Sequence, residues 1–251
     1  MTLLVRTGPD RLPATRCDLP EMISFASNGG TSDGYLASPA GDAAGAPVPA
    51  VIVIQEWWGL VHHVTMVADR FAAEGFLALA PDLYHGARTG EPDEAMTLLM
   101  GLAMDQAAKD IAGAGAYLAG RPDCTGKVGA VGFCMGGSLA LWAATLSAEI
   151  IAAVGYYPPL PWERMQPAWP NYHGKAALIH TSEEDGGPED ADILTGKRLI
   201  EEGGGTVTVH GYPGTRHAFF NDERPEVHDA AAAELSWTRT LAFLRASLAG
   251  S

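Results

Sequence analysis

The chain of 251 residues is long enough to bury one sizeable core without disulfide or metal staples. Its 47% hydrophobic and 18% charged residues exclude a disordered or collagen-like chain, and no apolar run reaches the roughly 18 residues that span a bilayer. Thirty Asp and Glu against sixteen Lys and Arg leave a net charge of −14, a field that repels phosphate backbones and anionic membranes, so neither nucleic acid nor a membrane is an expected partner.

The N-terminal MTLLVRTGPDR reaches Arg6 after too few apolar residues for a signal peptide. Residues 1–20 carry Pro13 and Pro20 and no sustained periodicity, so they read as an extension, with 21–251 as a single domain. Short strand-like runs at 22–26 and 34–37 flank Asn28-Gly29-Gly30, a hairpin turn signal. After a Gly/Ala/Pro loop at 40–49, Val51-Ile52-Val53-Ile54 is an unbroken β-branched run of the kind covered on both faces in parallel sheets. Val64, Val67, Ala68, Phe71 and Ala72 then recur at helical spacing up to Gly75.

The alternation continues through a strand at 76–80, helical material at about 93–118, a strand at 127–131 and a helix at 135–146. Strands at 150–156 and 176–180, a helix at 190–202, a strand at 206–209 and a helix at about 226–248 complete it. This pattern predicts an α/β chain with a doubly wound, mostly parallel sheet, helices on both faces and an N-terminal hairpin. The segment 157–174, rich in Pro and carrying Trp162 and Trp169, is too long for an idle loop and is expected to be a pocket wall or a lid.

The densest chemical signal is Gly132-Phe133-Cys134-Met135-Gly136-Gly137, between a strand and a helix. It has the form of the G-x-S-x-G nucleophile elbow with cysteine for serine, which places the thiol at a helix N-terminus, where unpaired N–H groups and the dipole favour a thiolate. Taken alone, it is equally a small buried cysteine in a Gly-rich turn. An elbow needs an acid and then a histidine in chain order. The strand at 176–180 runs into Thr181-Ser182-Glu183-Glu184-Asp185, and the strand at 206–209 into Gly214-Thr215-Arg216-His217-Ala218-Phe219. Both follow C-terminal strand ends, where open parallel sheets put their sites. Glu183 and Glu184 compete with Asp185 for the acid.

Glu56, in Gln55-Glu56-Trp57-Trp58, ends the most hydrophobic strand and is either a partly buried acid with a raised pKa or a cap for the next helix. The loop it opens is also where a second oxyanion donor belongs, which would be the Trp57 N–H. Trp58, Tyr84 and Phe219 adjoin strand ends and are candidates for substrate binding, or for the core. The adjacent His62 and His63 cannot share one helix face, so they are poor metal ligands and read as rim or helix-start residues. Cys17, Cys124 and Cys134 cannot all pair and form no C-x-x-C array, so a reduced, cytoplasmic protein is expected.

The set ISFASNGG, GYLASP, QEWWGL, PDLY, VGFCMGG, SEEDGGP and GTRHAFFNDERP, in order from about residue 21, resembles the dienelactone hydrolase family of α/β-hydrolases. The resemblance implies nucleophile Cys134, base His217, orienting acid Asp185, oxyanion donors at the Trp57 and Met135 N–H groups, and Glu56 as the acid that meets the resting thiol. It implies hydrolysis of lactones or small esters, with no metal or cofactor. The chain departs from the family at Ser182, where glycine is usual, and at Gly86 and Asn221, where its best-known members have arginine. A carboxylated lactone needs a cation in the pocket, for which Arg88 is the candidate; otherwise the substrates are neutral esters or lactones. The competing reading is a thiol-based binding or redox-sensing protein on the same fold, which has no use for an aligned acid and histidine.

Overall fold

The computed structural model describes residues 21–27, 29–40, 47–160 and 165–249. The extension at 1–20, with Cys17, and also Asn28 and Trp162, lie outside the described residues.

The hairpin is formed by β1 (Glu21–Ser27) and β2 (Gly30–Ala37). Its second strand runs antiparallel to β4 (Leu77–Pro81), and from β4 onward all pairs are parallel, through β3 (Val48–Ile54), β5 (Cys124–Phe133), β6 (Ile150–Tyr156), β7 (Ala176–Ser182) and β8 (Thr206–Tyr212). The eight strands lie in the order β1-β2-β4-β3-β5-β6-β7-β8.

The β-branched run of β3 is inaccessible to solvent and feeds two cores by the two-residue period of a strand. Ala50, Ile52 and Ile54 face α3 (Met104–Ala119) and α4 (Met135–Leu146), through Ile111, Leu118 and Leu139. Val51 and Val53 face α1 (His62–Ala73) and α6 (Ala230–Leu248), through Val64, Phe71, Trp237 and Leu244. Helices on both faces of a mostly parallel sheet are what the alternation predicts.

Several boundaries differ from the sequence pattern. The helical stretch expected at 93–118 is two helices, α2 (Pro92–Gly101) and α3, because the chain turns extended at Leu102 and Ala103 and Leu102 drops into the core. The last helix begins at Ala230, not near 226, where the Asp229 carboxylate caps the Ala232 N–H at 2.8 Å. Strands β5, β7 and β8 run past their apolar cores; Thr181 pairs with Gly211 and Ser182 with Tyr212, so the polar ends that carry the site belong to the sheet.

The segment after β6 behaves as a wall. Ser138 Oγ donates to the Pro159 carbonyl at 3.0 Å, Asn171 Nδ2 to Thr145 O at 2.8 Å and the Tyr172 hydroxyl to Leu141 O at 2.8 Å, so both described ends are pinned to α4. The remaining helix, α5 (Ala191–Glu202), is capped by Asp190, whose carboxylate accepts the Asp192 and Ile193 N–H groups.

Candidate active site

Cys134 is the single residue between β5 and α4, with φ 52 and ψ −122, a left-handed φ that is unfavourable for any residue with a Cβ. The strain is held because the Cys134 N–H donates to the Tyr156 carbonyl at 3.0 Å and the Cys134 carbonyl accepts the Gly137 N–H at 2.8 Å. The flanking glycines are steric necessities. A Cβ at Gly132 would stand 1.9 Å from the Gly136 carbonyl oxygen, and one at Gly136 would stand 2.4 Å from that of Gln55. The first turn of α4 therefore rests directly on the end of β3, which brings Glu56 and Trp57 to the elbow. Gly136→Ala is expected to lower stability by about 1–3 kcal/mol through overpacking and to cut activity more than the folded fraction explains. Gly90→Ala, where a Cβ meets open space, is the control in the paired melting and turnover measurements.

The histidine is supplied by the loop after β8. His217 Nδ1 lies 2.9 Å and 3.0 Å from the two Asp185 oxygens, and Cys134 is near enough to the ring to raise its pKa. Burial alone would lower the imidazole pKa, but the bonds to Asp185 and the Cys134 sulfur outweigh it and lift it to about 10. Burial would raise the Asp185 pKa; here the hydrogen bonds from His217 and Ser182 prevail and lower it. Ser182, in the family's glycine position, donates its hydroxyl to Asp185 and accepts the Asp185 N–H at 3.1 Å.

The three neighbouring acids have separate partners. Asp185 meets the imidazole, Glu184 accepts the His217 backbone N–H at 2.7 Å, and Glu183 accepts the Gly214 N–H.

Glu56 is buried, with Oε2 accepting from Asn221 Nδ2 at 3.0 Å and Oε1 facing the Tyr157 hydroxyl at 3.5 Å. The helix-cap alternative for Glu56 fails, because the N-cap position of α1 is Val61, with no side-chain cap. The Met135 N–H belongs to the first residue of α4, where a helix has no internal acceptor to offer. Trp57 follows Glu56 in a turn, and among the described residues neither the Trp57 nor the Met135 N–H is paired with a loop or turn carbonyl.

The candidates for substrate contact separate. Tyr84 reaches the elbow, its hydroxyl 3.8 Å from Met135 Sδ, and burial followed by the Cys134 charge raises its pKa. Trp58 is nearly buried, edge-on to Trp57 with the Arg224 guanidinium 5.6 Å above its ring. Phe219 is fully buried behind Tyr157 and Tyr212 and does not line the cleft; the left-handed turn at Ala218, φ 66, sends it inward. Arg88 is exposed and lines a different cavity of about 310 Å³ with Asp33 and Asp82. The cleft of about 180 Å³ beside His217 and Asp185 is walled by Tyr157, Pro159, Leu160 and Ile193, with Asp190 and Asp192 at its edge.

His62 contacts Glu223, and the buried His63 lies 3.5 Å from Asp222, both in the first turn of α1. His180 is buried between the Tyr212 hydroxyl, 2.8 Å, and Thr240 Oγ1, 3.0 Å. Among the described residues, no group of three or more His, Cys, Asp or Glu could hold a metal ion. Nor is any helix among them long and apolar enough to cross a membrane. Sequence reasoning missed Tyr157 and the role of Asn221; the only signal for Tyr157 was its place immediately after a buried strand.

A model of the dienelactone hydrolase family matches residues 32–248. The chain is 33% identical over 233 residues to protein usf of Aquifex pyrophilus, covering 90% of this chain and 97% of that one. It is 30% identical over 238 residues to a carboxymethylenebutenolidase of Pseudomonas putida, with 90% and 96% covered. A Klebsiella pneumoniae structure provisionally described as a dienelactone hydrolase superposes with a TM-score of 0.74 at 26% identity, over 90% and 97% of the two chains. An esterase of Pyrobaculum calidifontis, at 17% identity and a TM-score of 0.66 over 91% and 85%, shares the α/β-hydrolase fold.

Proposed function

Since the chain belongs to the dienelactone hydrolase family of ester and lactone hydrolases, we propose that it opens small esters or lactones through a Cys134–His217–Asp185 triad and a thioester acyl-enzyme. The observation that carries this is His217 held between the Asp185 carboxylate, 2.9 Å away, and the Cys134 sulfur.

In this reading Cys134 and His217 react as a thiolate–imidazolium pair. The thiolate attacks the carbonyl carbon, and the oxyanion that forms takes hydrogen bonds from the Trp57 and Met135 N–H groups. When the tetrahedral intermediate collapses, the carbon–oxygen bond of the ester breaks and the leaving oxygen takes the proton from His217 Nε2. The neutral imidazole then draws a proton from water, whose oxygen attacks the thioester. Collapse releases the acid and restores the thiolate–imidazolium pair. Asp185 fixes the tautomer throughout. Glu56 stands beside the pair as a charge that tunes it.

Charge argues for neutral substrates. The cleft is bordered by Asp185, Asp190 and Asp192, and among the described residues no Lys or Arg lines it. Arg88 faces the other cavity, Arg216 lies 3.6 Å from Glu184, and Arg224 is paired with Glu226 at 2.9 Å. A substrate carboxylate entering here would lose hydration without gaining a counter-charge from the described residues. The test is kcat/KM for a neutral aryl ester against a carboxylated enol-lactone. We expect the neutral ester to be favoured by at least about tenfold, the equivalent of roughly 1.4 kcal/mol, with the ratio unchanged in Arg88→Ala. A preference for the carboxylated lactone that collapses in Arg88→Ala would overturn this. The thiol-sensor alternative draws no support from the arrangement: Cys124 lies at the opposite end of β5 from Cys134, and its pKa is raised by burial.

A further inference from the structure

Tyr157 follows the last residue of β6, where strand alternation would send its side chain to the face opposite Tyr156. Instead both rings pack in the same hydrophobic layer. The backbone of Tyr157 turns into the left-handed region, φ 39, a conformation unfavourable for any side chain. It is held there by its own N–H, which donates to the His180 carbonyl at 2.6 Å. The strained turn delivers the ring into the catalytic layer, 4.9 Å from the centre of the His217 ring and 5.5 Å from that of Phe219, at 2% exposure. The hydroxyl faces Glu56 Oε1 at 3.5 Å. Burial, and then the charges of Glu56 and Cys134, push the phenol pKa well up, so the hydroxyl keeps its proton and is available as a donor.

Glu56 needs such donors. Among the described residues its side chain meets two neutral groups, the Asn221 amide and this phenol. A buried carboxylate so placed depends on hydrogen bonds for its orientation and charge. We infer that the Tyr157 hydroxyl is a positioning group that, with Asn221, fixes Glu56 as an anion beside the Cys134–His217 pair. The inference rests on the hydrolase reading for its purpose, but not for its geometry. The titratable groups that interact with the thiol are Tyr84 from the loop after β4, Tyr157 from the end of β6, and His217, backed by Asp185, from the loop after β8, with Glu56 from the end of β3 facing Tyr157.

A donor to the charged form of an acid favours that form, so its removal must move the acid's transition to higher pH. The experiment is the pH dependence of Cys134 alkylation by iodoacetamide, which needs no turnover and so reads the inference even if the protein hydrolyses no ester tested. The inflection abolished by Glu56→Gln identifies the Glu56 transition. In Tyr157→Phe it is expected to move up by roughly half a pH unit or more, and the Tyr157→Phe, Glu56→Gln double variant should match Glu56→Gln alone. Introducing 3-fluorotyrosine at position 157, a stronger donor of nearly the same shape, should move the inflection down and keeps the test open if Tyr157→Phe folds poorly. The inference is overturned by an unmoved inflection in both Tyr157 variants, by an equal shift in the Glu56→Gln background, or by the lack of any Glu56-dependent inflection.

Discussion

Replacement of Cys134 by alanine is expected to reduce ester hydrolysis by roughly four orders of magnitude or more, to the residual level that binding and oxyanion contacts sustain on their own. Cys124→Ala should leave turnover near that of the unaltered protein. Cys124 opens β5 and Cys134 directly follows it, yet of the two only Cys134 sits where φ 52 lifts it from the sheet at a helix N-terminus beside an imidazole. Cys124 is buried at the start of β5, where its sulfur accepts the Gly126 N–H at 3.4 Å. Loss of turnover in Cys124→Ala with retention in Cys134→Ala would remove the mechanism entirely. Melting curves for both variants separate chemistry from folding, since Cys124 is the better buried of the two.

The second large effect belongs to Asp185. Asp185→Asn is expected to lower kcat by about 10⁴, because the amide can stabilise the wrong imidazole tautomer and leaves the imidazolium without its counter-charge. Glu184→Gln, whose side chain meets the His217 backbone N–H and Arg216 but not the imidazole, should cost far less. The same variant has a pH signature. His217 is lifted from 6.5 to about 10, so its contribution to stability is complete below 6.5 and is lost as pH rises through about 10. Asp185 is depressed below 3.8, so its contribution is present above 3.8 and is lost as pH falls through its folded-state value. The stability gap between the unaltered protein and Asp185→Asn should therefore be widest between about 4 and 6.5 and should shrink toward pH 10. The His217 ring, followed by NMR, should titrate near 10 in the unaltered protein and closer to its ordinary value in the variant. A gap that is flat across this range would show that Asp185 does not stabilise the imidazolium.

Much of this site is visible in the amino-acid order because its parts obey local rules. The elbow is legible because only glycine fits at 132 and 136, and the acid and histidine loops because each follows an apolar strand. Distances between the three acids are not legible. Glu183, Glu184 and Asp185 are adjacent and chemically alike, and only the tertiary path of the 214–217 loop distributes their partners. Polar strand ends were hidden for a related reason: Thr181, Ser182 and Gly211 break the apolar pattern while the backbone ladder continues through them. The Glu56–Asn221 bond spans 165 residues, beyond any periodicity. Tyr157 was not singled out, and Phe219 was expected in the pocket but is buried. Left-handed turns at Tyr157 and Ala218 place one ring on the cleft wall and bury the other, and neither turn has a glycine to announce it.

The central claim is that the acyl group passes through the Cys134 sulfur. The most direct test is acid-quenching of the protein during turnover of a neutral p-nitrophenyl ester, followed by mass spectrometry of its peptides. A thioester adduct on the peptide that contains Cys134, accumulating within the first turnover and disappearing as substrate is exhausted, is the result expected. Sustained turnover with that peptide unmodified and the acyl group on Ser138 or any other residue would contradict it.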